Sequence, residues 1–98
     1  MNKFSDIIKN DKPTLVDFYA KWCGPCKIVH PILEDLKKQL GTQLVILKID
    51  VDKNPAVANQ FKIQSVPTLM LFKEGKKIWR ESGVIPISTL KAKIHTYL

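Results

Sequence analysis

The chain lacks the features of a disulfide-built, nucleic-acid-binding or membrane-spanning protein. Its two cysteines are too few to staple a domain of this size, and a framework pair is rarely only three positions apart, so their use is catalytic. Arg80 is the single arginine among 16 basic residues, and aromatics make up only 8% of the chain. Base recognition draws on arginine forks and exposed rings, so no nucleic-acid partner is expected. No run approaches the roughly 18 apolar residues of a membrane span, so no membrane partner is expected either. Met1-Asn2-Lys3-Phe4-Ser5-Asp6 carries a charge without the apolar stretch of a secretory leader behind it. The resulting expectation is a cytoplasmic protein. Repeats and low-complexity segments are absent from the sequence as well.

What is present suits one small domain. Ninety-eight residues at 45% hydrophobic content supply a single core with no room for a second, so residues 1–98 are read as one domain and as a monomer. The formal net charge of +7 comes from lysines spread along the chain, densest at Lys37-Lys38 and Lys76-Lys77. Such lysines solvate helix and hairpin faces; the alternative is a surface that steers acidic partner proteins.

The cysteines lie in Trp22-Cys23-Gly24-Pro25-Cys26-Lys27. Two intervening residues allow the thiols to close a small disulfide across the first turn of a helix. The preceding Thr14-Leu15-Val16-Asp17-Phe18-Tyr19 reads as a buried strand, and Ile28, Val29, Ile32, Leu33, Leu36 and Leu40 follow at helical spacing. Cys23 is thereby placed at a helix N-terminus, where unpaired N–H groups and the helix dipole favour the thiolate. Cys26, one turn in and expected to lie deeper, is available to attack a mixed disulfide formed at Cys23.

The remaining pattern gives the architecture. Phe4, Ile7 and Ile8 are spaced for a short helix, and a strand follows from about Thr14 to Ala20. A long helix from about Cys23 to Leu40 contains Pro31, which should kink it without ending it, and Gly41 closes it. Gln43 to Val51 is dense in Leu, Val and Ile, as a strand covered on both faces should be. Asn54-Pro55 then opens a short helix as N-cap and first helical residue. Thr68 to Phe72 and Lys77 to Glu81 form a hairpin through Glu74-Gly75-Lys76, and Pro86 leads a last helix bearing Ile87, Leu90, Ile94 and Leu98. The fold class is α/β: a three-layer α/β/α sandwich around a mixed central sheet of about four strands.

Val16-Asp17-Phe18-Tyr19-Ala20-Lys21-Trp22-Cys23-Gly24-Pro25-Cys26-Lys27 resembles the active-site segment of the thioredoxin family. Pro31, Lys48-Ile49-Asp50-Val51-Asp52 with Asn54-Pro55, Ser65-Val66-Pro67-Thr68, Phe72-Lys73-Glu74-Gly75 and Ser82-Gly83 fall in that family's order and spacing. The resemblance runs from about Phe4 to Leu98. It departs at the start, because the family begins with an extra strand and only Met1 to Lys3 remain for it here. That strand is expected to be absent or vestigial. Tyr19 stands where a tryptophan is often found.

Each candidate residue has a bland reading beside a chemical one. Asp17, mid-strand between apolar neighbours, is either an exposed aspartate of an alternating strand or a buried carboxyl with a raised pKa; the resemblance implies the latter, as acid/base for Cys26. Lys48, flanked by Leu47 and Ile49, either snorkels from a strand end or tunes Asp17, and the resemblance implies tuning. Val66-Pro67 is either an ordinary strand beginning or, as the resemblance implies, a cis bond. In that family the backbone before the proline, here that of Val66, pairs with an extended client segment. Trp22, Gly24, Pro25, Gly83 and Val84 would line the rest of a shallow apolar patch around Cys23, although Gly83 alone fits a turn and Val84 alone fits the core. Trp79 reads as partly buried packing. Zinc ligation by Cys23, Cys26, His30 and His95 is rejected, because finger-like sites keep their histidines close together.

The activity implied is that of a protein dithiol-disulfide oxidoreductase acting mainly as a reductase, with oxidase or isomerase chemistry as the alternative. No cofactor is expected to be bound, and electrons are expected from NADPH through a thioredoxin reductase, with disulfide-containing proteins as clients. A different class of function, a binding scaffold with silent cysteines, conflicts with the presence of Asp17, both cysteines and Pro67 together.

Overall fold

The structure is a computed structural model that describes residues 3–98, and of Lys3 only the backbone. In order the elements are α1 (Lys3–Ile8), β1 (Thr14–Tyr19), α2 (Gly24–Leu40), a 3-10 turn (Gly41–Gln43), β2 (Val45–Asp50), α3 (Pro55–Gln60), β3 (Thr68–Lys73), β4 (Lys76–Ser82) and α4 (Ile87–His95). The first strand, expected to be absent or vestigial at Met1 to Lys3, falls mostly outside the described residues. Lys3 itself opens α1.

The sheet is ordered β2-β1-β3-β4. β1 pairs in parallel with β2 and antiparallel with β3, and β3 pairs antiparallel with β4. Strands β1 and β3 occupy the centre, which is why their side chains are buried on both faces. β2 does not meet the expectation of a strand covered on both faces. It is an edge strand, half-buried through Leu47, with Lys48 exposed. A run dense in Leu, Val and Ile was compatible with either place, and strand order decides between them.

Strand alternation divides the core. Leu15, Leu69 and Leu71 face Val29, Leu33 and Leu36 of α2 and Leu90 and Ile94 of α4. Val16, Phe18, Met70 and Phe72 face Phe4 and Ile8 of α1, with Val57 and Phe61 packed at the margin. There the Phe72 ring meets Phe4 edge-on at 5.7 Å and Phe61 at 5.6 Å. Two helices therefore cover each face, giving the three-layer sandwich.

Local signals account for the element ends. Gly41 closes α2 at φ +56°, a conformation open to glycine, and its N–H donates to the Lys37 carbonyl. Lys37 Nζ adds a bond to the Gly41 carbonyl at 2.8 Å. α2 continues through Pro31 without interruption. Asn54 precedes Pro55 as the N-cap of α3, but its side chain makes no capping bond. Instead its amide nitrogen donates back to the Asp50 carbonyl at 3.0 Å, tying the turn to the end of β2.

Candidate active site

The site forms where β1 ends and α2 begins. Cys23 is the N-cap of α2, with φ −88° and ψ 116°, so the backbone turns into the helix at the sulfur. Cys26 N–H donates to Cys23 Sγ at 3.2 Å. This is one of the orphan donors of a helix start, aimed at the Cys23 sulfur. Cys23 and Cys26 are joined in a disulfide with Cα atoms 5.3 Å apart. The two cysteines are 4% and 3% exposed, with Cys26 the slightly less accessible, as expected of the residue one turn into the helix. Accessibility hardly separates the two; position on the helix does, because only Cys23 caps it.

Val66–Pro67 is a cis peptide, and the loop carrying it stands against the disulfide. The Val66 carbonyl oxygen is 3.5 Å from Cys23 Sγ. In the disulfide the sulfur has no hydrogen to donate, so this is a close contact and not a hydrogen bond. The loop is fixed from both sides. Thr68 Oγ1 donates to the Ser65 carbonyl at 2.7 Å, which spends its only proton, so Ser82 Oγ is the donor in their 2.8 Å contact. Gly83, at φ +99°, donates its N–H to the Pro67 carbonyl at 2.9 Å. Gly83 therefore braces the cis-proline loop, and Val84, 43% exposed, follows on the surface.

Two shallow depressions flank the disulfide. One, of about 210 Å³, is lined by Trp22, Val51, Ile63, Gln64, Ser65 and Val66. Trp22 is 73% exposed, and its Nε1 donates to Asp52 Oδ2 at 2.9 Å, so an otherwise free indole is held beside Val66. The other, of about 370 Å³, is lined by Tyr19, Ala20, Lys21, Cys26, Lys27 and His30. Gly24 and Pro25 are exposed at the start of α2 and line neither depression.

Asp17 is fully buried, and neither carboxylate oxygen has a hydrogen-bond partner. By alternation it shares the face of Leu15, against α2. α2, the helix packed on that face, carries Cys26 in its first turn. Burial raises its pKa from 3.8 to about 6, and the Lys48 ammonium partly offsets the rise. Lys48 is the register partner of Asp17 on β2; its Nζ contacts His30 Nε2 at 3.2 Å. Lys48 itself is exposed.

Sequence reasoning missed Asp52, Thr68, Ser82 and His30 as parts of this region. Thr68 belonged to a motif already singled out. Asp52 and Ser82 also lay in such motifs and His30 was weighed only as a metal ligand; none showed its contact, since each meets a partner at least 14 positions away. Trp79 packs at the margin of the α2-side core. Among the described residues no group of three or more His, Cys, Asp or Glu side chains is placed to hold a metal.

The thioredoxin family model matches residues 1–96. A thioredoxin of Porphyra purpurea is 40% identical over 93 residues, covering 95% of this chain and 87% of that protein. The chloroplastic thioredoxin Y2 of Arabidopsis thaliana is 44% identical over 98 residues, covering 99% of this chain and 59% of that longer protein. Among solved structures, a single-residue mutant of a thioredoxin from Halobacterium salinarum superposes with a TM-score of 0.89 at 37% identity, over 99% of this chain and 84% of that one. The oxidised mitochondrial thioredoxin 3 of Saccharomyces cerevisiae gives 0.86 at 33%, over 96% and 87%.

Proposed function

This chain belongs to the thioredoxin family and is a dithiol-disulfide oxidoreductase, and from that premise we propose that it works as a reductase of client-protein disulfides, with Cys23 as nucleophile and Cys26 as resolving thiol. The observation that carries the assignment is the capping position of Cys23, whose sulfur receives the Cys26 N–H. A thiolate there gains a hydrogen bond and the helix dipole that a thiol gains less from.

The exchange runs in two displacements. Cys23 thiolate attacks one sulfur of a client disulfide; a Cys23–client bond forms, the client S–S bond breaks, and the first client sulfur leaves as a thiolate that takes a proton from water. Cys26 then gives its proton to Asp17, directly or through water, and attacks Cys23 Sγ. The Cys23–Cys26 disulfide forms, the second client sulfur departs as a thiolate, and it takes up the proton that Asp17 holds, through water. The client gains two electrons and two protons, and the protein ends in the oxidised state seen here. A carboxyl with a pKa of about 6 is a better acceptor for a thiol proton near neutrality than an ordinary aspartate, because its basicity is closer to the working pH.

Client docking uses the exposed rim. An extended client segment lies along Val66 beside the cis-proline loop, with Trp22, Gly24 and Pro25 on one side and Gly83 and Val84 on the other. Small residues there allow close approach of a foreign backbone to the sulfur. Lys48 tunes Asp17. Electrons return from NADPH through a thioredoxin reductase, and the protein acts as a cytoplasmic monomer. No helix among the described residues is long and apolar enough to cross a membrane.

Two measurements test this reading. Insulin disulfide reduction with dithiothreitol should be accelerated over dithiothreitol alone; no acceleration would favour a scaffold with silent cysteines. A redox titration should place the disulfide near the family's value of about −270 mV. A potential close to about −120 mV, that of a strong oxidant, would reverse the direction of the reaction.

A further inference from the structure

We propose that His30 is a positioning residue of this site: its imidazole anchors the Lys48 ammonium at the seam between α2 and β2, and so holds a positive charge on Asp17. Lys48 is a long, exposed side chain on an edge strand. Without an anchor its ammonium would sample solvent and spend little time near the carboxyl. His30 Nε2 lies 3.2 Å from Lys48 Nζ. An ammonium only donates, so Nε2 must be the accepting nitrogen of a neutral imidazole, with the proton on Nδ1.

The ring is itself placed. It is half-buried, tilted at 60° against Tyr19 with centroids 6.0 Å apart, and it shares the wall of the Cys26 depression. His30 is four residues after Cys26 on α2, whereas Lys48 pairs in register with Asp17. The contact therefore joins the helix that carries the resolving thiol to the strand beside its proton acceptor. The other titratable groups around the pair are Tyr19 of β1, Lys21 before α2, and Lys27, Glu34, Lys37 and Lys38 on α2. Of these only Glu34 carries negative charge to draw Lys48, and it shares a depression with Lys37, Lys38 and Lys48 itself. Release from His30 leaves the ammonium of this exposed side chain free to sample solvent and Glu34.

The catalytic consequence rests on the reading of Asp17 as acceptor of the Cys26 proton, so the test separates the two. Asp17 is titrated in the oxidised protein by carboxyl-carbon NMR, which needs no turnover. Withdrawal of a unit charge by a few ångströms at an effective dielectric near 20 raises the midpoint by about half a pH unit. His30→Ala should show that rise and His30→Gln, whose amide oxygen can accept from Lys48, should not. In a Lys48→Met background, His30→Ala should add nothing. An unchanged midpoint in His30→Ala, or an equal shift with and without Lys48, overturns the anchoring. Stopped-flow resolution of a Cys23 mixed disulfide in the same variants addresses the acceptor reading: a shifted midpoint with unaltered resolution refutes that reading and leaves the anchoring supported.

Discussion

Replacing Asp17 with asparagine should stabilise the protein at neutral pH while slowing its chemistry. The carboxyl is fully buried with both oxygens unpartnered, and burial raises its pKa from 3.8 to about 6. An acid whose folded pKa is raised binds more protons folded than unfolded. Its contribution to stability is therefore most favourable below the unfolded pKa and is lost as pH rises to the folded one. A rise from 3.8 to about 6 corresponds to about 3 kcal/mol, at roughly 1.4 kcal/mol per pH unit. The loss falls between pH 3.8 and about 6, with little further change from this group above.

Asparagine keeps the shape and cannot ionise, but it buries an amide with the same lack of partners, which takes back about 1 kcal/mol or more. The net gain at pH 8 is expected at about 1–2 kcal/mol, and near pH 4 it should vanish or reverse. With urea m-values of about 1–3 kcal/mol/M, the midpoint at pH 8 should rise by about 1 M. Urea unfolding of the oxidised wild type and variant from pH 4 to 9 measures the difference, in which the other titrating groups cancel. Resolution of mixed disulfides should slow at least tenfold, within the range by which a positioned acid or base accelerates a step. A variant less stable at pH 8, or one whose difference from wild type does not depend on pH, refutes the account of Asp17 as a buried, strained acid/base.

Cys26→Ser should accumulate covalent mixed disulfides with oxidised clients at Cys23, visible on non-reducing gels, and Cys23→Ser should accumulate none; the opposite pattern reverses the two roles. Gly83→Ala places a side chain at φ +99°, which should destabilise by about 1–3 kcal/mol and lower the rate of insulin reduction by loosening the bond to the Pro67 carbonyl. An alanine variant as stable and active as wild type would separate Gly83 from the loop. Phe72→Ala removes a ring 1% exposed from the aromatic cluster and should cost about 3–5 kcal/mol by denaturant unfolding, with the activity of the folded fraction unchanged because Phe72 faces away from α2. Asp52→Ala should free the Trp22 indole, raising its mobility in fluorescence anisotropy and reducing client binding several-fold; an unchanged anisotropy would mean that the 2.9 Å bond does not restrain the ring.

Local pattern in the chain settles the chemistry and most of the framework. The spacing of Cys23 and Cys26 between a strand and an amphipathic helix is a local property, so it reveals the helix-capping thiol without tertiary knowledge. The same holds for Gly41, whose left-handed conformation ends α2, and for the apolar periodicities that mark β1, α2 and α4. Packing settles what depends on residues far apart in the chain. Whether β2 lies at the centre or the edge is set by which strands pair, and its composition suited both. What packs over the two cysteines, including Val66 43 positions from Cys23, is set by tertiary structure and leaves both of them buried. Asp17 reads the same whether exposed or buried until α2 is laid over β1. His30 and Lys48 are 18 positions apart and carry no mutual signal in the chain; they meet because α2 crosses back over the sheet to place β2 parallel beside β1.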